Sequence, residues 1–159
     1  MTLLICAVIS QTYIKQIKNH SKSVMQLILL IENIKILIEY KNMSISELFN
    51  VVCCSDNYTY LTFLDDIKKG VDDYHKTLNE VFSNKSIFLG FDNEDIEYIK
   101  GFFSTLGTSD TNGQVVNCEL YKKLFEKKYS LLEKSEKSKC RCTSTLLIGV
   151  GLLISIIIA

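Results

Sequence analysis

The side chains in this sequence best able to bind a metal are six cysteines, at 6, 53, 54, 118, 140 and 142, and two histidines, His20 and His75. A zinc site takes about four such ligands at workable spacing. No C-x-x-C pair is present, and only the two histidines are there to complete a set. Neighbouring Cys53 and Cys54 cannot close an ordinary unstrained bridge on each other, and a reducing cytoplasm keeps all six as thiols. Most read as small core residues. The acids Asp65, Asp66, Asp72 and Asp73 fall in two adjacent pairs seven residues apart, a pattern that would suit a carboxylate site. Apart from His75 nearby, no glycine-rich loop or further ligand set accompanies them, so they read as a solvated helix face. With no nucleophile and base pair, no phosphate loop and no metal cluster, an enzyme is not expected, nor a cofactor or a metal.

The elements that could position any site are helices. At 159 residues with 47% apolar content, the chain has room for one domain of ordinary size and a membrane segment. Its 18 basic and 18 acidic residues cancel, which leaves no electrostatic footprint for nucleic acid. Proline is absent, so long helices run without interruption.

The last stretch, 143–159, holds no charge, and Lys134, Lys137, Lys139 and Arg141 stand just before it. Seventeen residues are at the lower limit for a spanning helix, and Cys142 with a snorkelling Arg141 lengthens it. The basic collar places the body on the cytoplasmic side by the positive-inside tendency. The expected division is a short apolar N-terminal segment over 1–14, a cytoplasmic helical domain over 15–141 ending in a stalk helix, and a transmembrane helix over 142–159. Within the tail, Thr145 with Gly149, and Gly151 with Ser155, are small residues four apart of the kind that lets membrane helices pack closely. A homo-oligomer would use them. The N-terminal segment has two readings, a short anchor or the apolar first turns of the helix that follows.

Between 24 and 38, Val24, Leu27, Ile31, Ile34 and Ile38 form a heptad stripe, and further apolar residues widen the face. Such a helix is either a central core helix or a surface for a partner. Ser44 and Glu47 fit a capping box, opening a helix from 45 to about 53. Three- and four-residue spacing then predicts a single helix over 59–82. Asp92 caps a helix that runs through Ile96, Ile99, Phe102, Phe103 and Leu106 and stops at Gly107. A polar turn over 108–113 follows, and Gln114 opens the last helix. Asp110 suits the N-cap and Gln114 suits bonds to loop amides, which gives them a role in the turn's stability as well as a role as partner contacts.

Gln26-Leu27 with Ile31, Ile34, Ile38 and Tyr40, then Phe102, Leu106-Gly107, Asp110 and Gln114, then Gly151 in an apolar tail, resemble the stage III sporulation protein AB family of endospore-forming bacteria. The most specific part is F-x-x-x-L-G-x-x-D-x-x-x-Q feeding a long helix. The resemblance implies a membrane-tethered all-helical bundle similar to the cytoplasmic domains of type II secretion and type IV pilus platform proteins. It implies a structural part in the mother cell to forespore secretion-like complex, at the mother-cell membrane facing the forespore. The partners implied are the other stage III sporulation A proteins, including the AA ATPase and the ring-forming members. Leu106, Gly107, Asp110 and Gln114 would form the turn at the membrane-distal end of the stalk. The chain departs from the family pattern at Phe103, where glycine is common, at Ser44, where proline often stands, and in its shorter N-terminal apolar segment. The helical pattern alone fits an unrelated tail-anchored adaptor or regulatory protein equally well.

Overall fold

The computed structural model describes the backbone over residues 2–41, 43–53, 56–70 and 74–158, with side chains chiefly between 15 and 138. The elements in chain order are α1 (Thr2–Lys41), α2 (Ile45–Cys53), α3 (Phe63–Lys69), α4 (Tyr74–Ser83), α5 (Asn93–Thr105) and α6 (Thr111–Ile158). Single 3-10 turns lie at Asp56–Tyr58 and Lys85–Ile87. No strand occurs among the described residues. The fold is all-helical, as the spacing predicts.

Helices α1 and α6 pack against each other antiparallel, and the four shorter helices pack on them through α2 and α5 and on one another. The reason lies in α1. Val24, Leu27, Ile31 and Ile34 are fully buried and Ile38 nearly so. Ile28, Leu30 and Leu37 are buried with them, so the apolar arc exceeds the roughly 100° of an ordinary surface helix and needs cover from two directions. One comes from α6, through Cys118 and Phe125. The other comes from α2 and the turn after it, where the Tyr58 hydroxyl accepts from the Asn33 amide and the Gln26 Oε1 accepts from the Tyr60 backbone N–H at 2.7 Å. The stripe expected either to be core or to meet a partner is therefore filled by the chain itself.

Local signals set the helix starts. The Ser44 backbone N–H donates to Glu47 Oε2 at 3.0 Å, and the Glu47 N–H donates back to Ser44 Oγ at 3.4 Å, a reciprocal cap that opens α2. At α5, Asp92 Oδ1 accepts from the Asp95 N–H at 2.8 Å and Asp95 Oδ2 accepts from the Asp92 N–H at 3.1 Å. Helix α6 begins at Thr111, three residues before Gln114.

The single helix expected over 59–82 is not formed. It is split into α3 and α4, and the backbone of 71–73, with Asp72 and Asp73, lies outside the described residues. Gly70 closes α3, its N–H bonded to the Ile67 carbonyl at 3.2 Å while its own carbonyl accepts from Thr77 Oγ1 at 2.7 Å. The split lets apolar faces that would lie along one rod fold onto a shared aromatic centre. Phe63 and Phe82 each stack on Phe88 with ring centroids 4.9 Å apart, and Phe63 meets Phe103 edge-on at 5.9 Å. Phe103 also touches Phe49 and Phe102, at 5.8 and 5.2 Å. Packing of this kind outweighs helix continuity, since each buried aromatic pair adds ~1 kcal/mol beyond its area.

Among the described residues, no helix is long and apolar enough to cross a membrane. The side chains of 142–159, and with them Thr145, Gly149, Gly151 and Ser155, lie outside the described residues, as do those of 1–11. The backbone of α6 is helical to Ile158.

Truncating Phe103 to alanine is expected to cost about 3–5 kcal/mol, against less than ~0.5 kcal/mol for Leu89→Ala at an exposed loop. Denaturant unfolding of the two variants checks this, and equal losses would show that the aromatic centre does not hold the body together.

Candidate functional site

Two places in the fold concentrate polar side chains on specific partners, and both lie along α6. The first is its N-terminal turn. Leu106 is buried and Gly107 follows in the left-handed region, with φ of 77°. A Cβ at Gly107 would sit 2.5 Å from Ile45 Cδ1, so both conformation and space favour glycine. Asp110 Oδ1 accepts from the Gly113 N–H at 2.9 Å, capping α6. Gln114 bridges the loop with both ends of its amide. Its Oε1 accepts from the Gly107 N–H at 3.1 Å, and its Nε2 donates to the Ser109 carbonyl at 2.9 Å. The four residues singled out in the sequence are thus one unit, and the polar atoms of Asp110 and Gln114 are used within it. Residues 107–110 remain exposed.

The second place was not foreseen. Asp95 of α5, fully buried, is met from two other helices at once. His20 Nε2 of α1 lies 2.5 Å from Asp95 Oδ2, and Lys128 Nζ of α6 lies 2.5 Å from Asp95 Oδ1 as an ionic contact rather than an aligned hydrogen bond. The same ammonium reaches Asp92 Oδ2 at 3.0 Å and Glu94 Oε2 at 3.1 Å. Burial on its own would push the Asp95 carboxyl up, but the His20 ring, the Lys128 ammonium and the Asp92 backbone N–H overcome it and hold the carboxyl below its usual range. At Lys128 desolvation works downward, and the three surrounding carboxylates win, so its ammonium is held above the usual lysine range.

His20, Asp92 and Asp95 bring potential metal-ligating atoms within 4.8 Å of one another. The Lys128 ammonium already sits against both carboxylates of this set. The arrangement is a charge lock between α1, α5 and α6, with its acid already neutralised by a fixed cation. The signal for it in the sequence is faint but present: His20 continues the Val24, Leu27, Ile31 stripe one step toward the N-terminus, onto a face that is buried.

The other candidate chemistry is dispersed. Asp66 pairs with Lys69 at 2.6 Å on an exposed face, and Asp65 is exposed beside it. Cys118 is buried against α1, its thiol pushed up to about 12 chiefly by burial. Cys53 is half-buried and points its thiol at the Leu64 carbonyl.

The family model for stage III sporulation protein AB matches residues 1–159, the whole chain. The chain belongs to the stage III sporulation protein AB family. No curated protein and no solved structure matches it. In this member of the stage III sporulation protein AB family, the turn residues that carried the resemblance have a physical reason: glycine for the backbone, aspartate for the cap, glutamine to span the loop.

Gly107→Val is expected to lower stability by about 2 kcal/mol or more through strain and the clash with Ile45, with loss of protection of the 106–110 amides in hydrogen exchange; an unchanged melt would contradict the geometry. Lys128→Met leaves a buried carboxylate short of its cation, and a loss of about 3 kcal/mol is expected. Because the folded Asp95 carboxyl titrates below its unfolded value, its stabilisation is present above the unfolded pKa of about 4 and is lost as pH falls through the folded value. Melting temperature followed from neutral pH downward should therefore drop below about pH 4 in the parent, more steeply than in Asp95→Asn; parallel curves would exclude Asp95 as the cause.

Proposed function

We propose that this protein is a non-enzymatic, membrane-anchored structural component of the mother cell to forespore secretion-like complex of sporulation. The observation that carries the reading is the whole-chain match to the stage III sporulation protein AB family. Its helical body is read as similar to the cytoplasmic domains of secretion platform proteins, and its work is to couple the AA ATPase to the ring-forming stage III sporulation A proteins. The geometry of α6 supports this. Its 48 residues make one helix of roughly 70 Å, which joins the charge lock and the capped turn at one end to the uncharged tail at the other.

The tail over 143–159 is read as a transmembrane helix that keeps the body on the cytoplasmic side of the mother-cell membrane, the basic collar at Lys134, Lys137, Lys139 and Arg141 facing the cytoplasm. A helix continuous from body to tail transmits displacement, whereas a flexible linker would absorb it. The exposed 107–110 turn, fixed by Asp110 and Gln114 and set at the far end of the stalk, is where contact with the ATPase is expected. For a non-enzymatic role the support is chemical. The buried Asp95 carboxylate and the groups gathered on it, His20 and Lys128, are engaged with one another as an ion-pair lock.

Isolation of the tagged full-length protein from sporulating cells in mild detergent is expected to bring down the stage III sporulation ATPase or ring proteins. Expression throughout vegetative growth with none of those partners recovered would overturn the proposal.

A further inference from the structure

Helix α6 turns Cys118 and Phe125 into the core. On its opposite side Val116, Leu120, Lys123, Lys127, Leu131 and Lys134 follow one another three, four or so residues apart, and all six are exposed. At about 100° per residue they fall within an arc of about 80°, so they make a single line along the helix. The body grips α6 from the two flanks of this line. One grip is α1, through Lys35 with Glu119 and Glu32 with Lys122, and the other is α5, through Phe102 with Tyr121 and Asp95 with Lys128. Val116, Leu120 and Leu131 remain 57–65% exposed between them. Single exposed leucines are ordinary; three apolar residues in one line with lysines are a pattern.

The lysines of the line differ from the others on α6. Lys122 and Lys128 pair across to α1 and α5, and Lys137 pairs along the helix with Glu133. Lys123, Lys127 and Lys134 form no ion pair among the described residues. The acids nearest to them in sequence contact other cations: Glu119 meets Lys35 at 2.9 Å, Glu126 meets Lys122 at 3.9 Å, and Glu133 meets Lys137 at 2.9 Å. The line therefore offers three ammonium groups without an ion-pair partner beside three apolar side chains.

Leu120 and Leu131 stand eleven residues apart with Lys123 and Lys127 between them, a span of about 16 Å on a helix. The complement of that surface is a second helix with two apolar anchors at the same separation and two acids between them. We propose that this side of α6 docks an acidic amphipathic helix of a partner protein. The leucines supply buried area and the lysines select the sign of the partner's charge. A second copy of this chain does not fit by the same face, because the line carries no acid and two copies would set lysine beside lysine. A bilayer surface does not fit either. A helix lying in one has its apolar strip flanked by cations on both sides, whereas here the unpaired lysines lie to one side of Leu120 and Leu131. The site occupies 116–134 and does not depend on whether the tail crosses a membrane.

The test uses the full-length protein in mild detergent and a synthetic alanine-based helical peptide. The peptide carries two leucines and two glutamates in the spacing of Leu120, Leu131, Lys123 and Lys127. Saturable binding is expected by fluorescence anisotropy of the labelled peptide. Lys123→Glu with Lys127→Glu should weaken it at least about 30-fold and admit a peptide with lysines in place of the glutamates. The circular dichroism melt of the body should not change, since both residues are exposed. In sporulating cells, p-benzoylphenylalanine in place of Leu131 should form an adduct with a protein segment that carries acids between apolar residues at helical spacing. Absence of saturable binding, equal binding of the two peptides by the parent, or no adduct would overturn the proposal. So would an adduct to lipid, to a second copy of the chain or to a segment without those acids.

Discussion

Helix α1 is apolar over about half of its circumference between Val24 and Ile38, and that surface has to be removed from water. Each fully buried aliphatic side chain is worth about 1.5–3 kcal/mol, and eight on one helix make its coverage the strongest single demand in the molecule. One neighbouring helix cannot cover so wide an arc. The chain answers with α6 on one flank and the short helices on the other, and the remaining features follow from holding those two coverings in place.

The polar devices sit where the coverings would otherwise slide. The capped turn fixes where α6 starts relative to α5, because Gly107, Asp110 and Gln114 leave the loop no slack. Farther along, Lys128 ties α6 to the N-terminus of α5 and, through Asp95 and His20, to α1. Between them, Lys35 with Glu119 and Lys122 with Glu32 set the register along the pair. These exposed pairs are worth little individually; what they supply is alignment, while the buried lock resists separation. The part of α6 from its first turn to Lys128 is thereby coupled to the body.

Much of this was readable because it is local. Ser44 and Glu47, Asp92, and the glycine after Leu106 announce their roles within four residues, and caps depend on little else. The α1 stripe declared its burial by its width, although sequence could not decide whether the cover was the chain itself or a partner. Illegible were the features that depend on distant residues. The three- and four-residue spacing continues through 59–82 without a proline, so only Gly70 hinted that the rod folds back, and the gain that breaks it comes from Phe88 and Phe103. Asp95 looked like one more acid at a helix start. Its burial follows from His20 and Lys128, 75 and 33 residues away, and no local pattern contains them.

The antiparallel register of α1 and α6 is the premise on which the core and the lock both depend, and a distance within one chain tests it most directly. Spin labels carried by non-natural residues in place of Lys41 and Asn112 avoid the native cysteines, and electron-electron double resonance then reads their separation. One narrow distribution at about 10–20 Å is expected, since the end of α1 and the start of α6 lie level. A separation near ~40 Å, the length of some 27 helical residues that a parallel arrangement would impose, or a broad distribution, would contradict it.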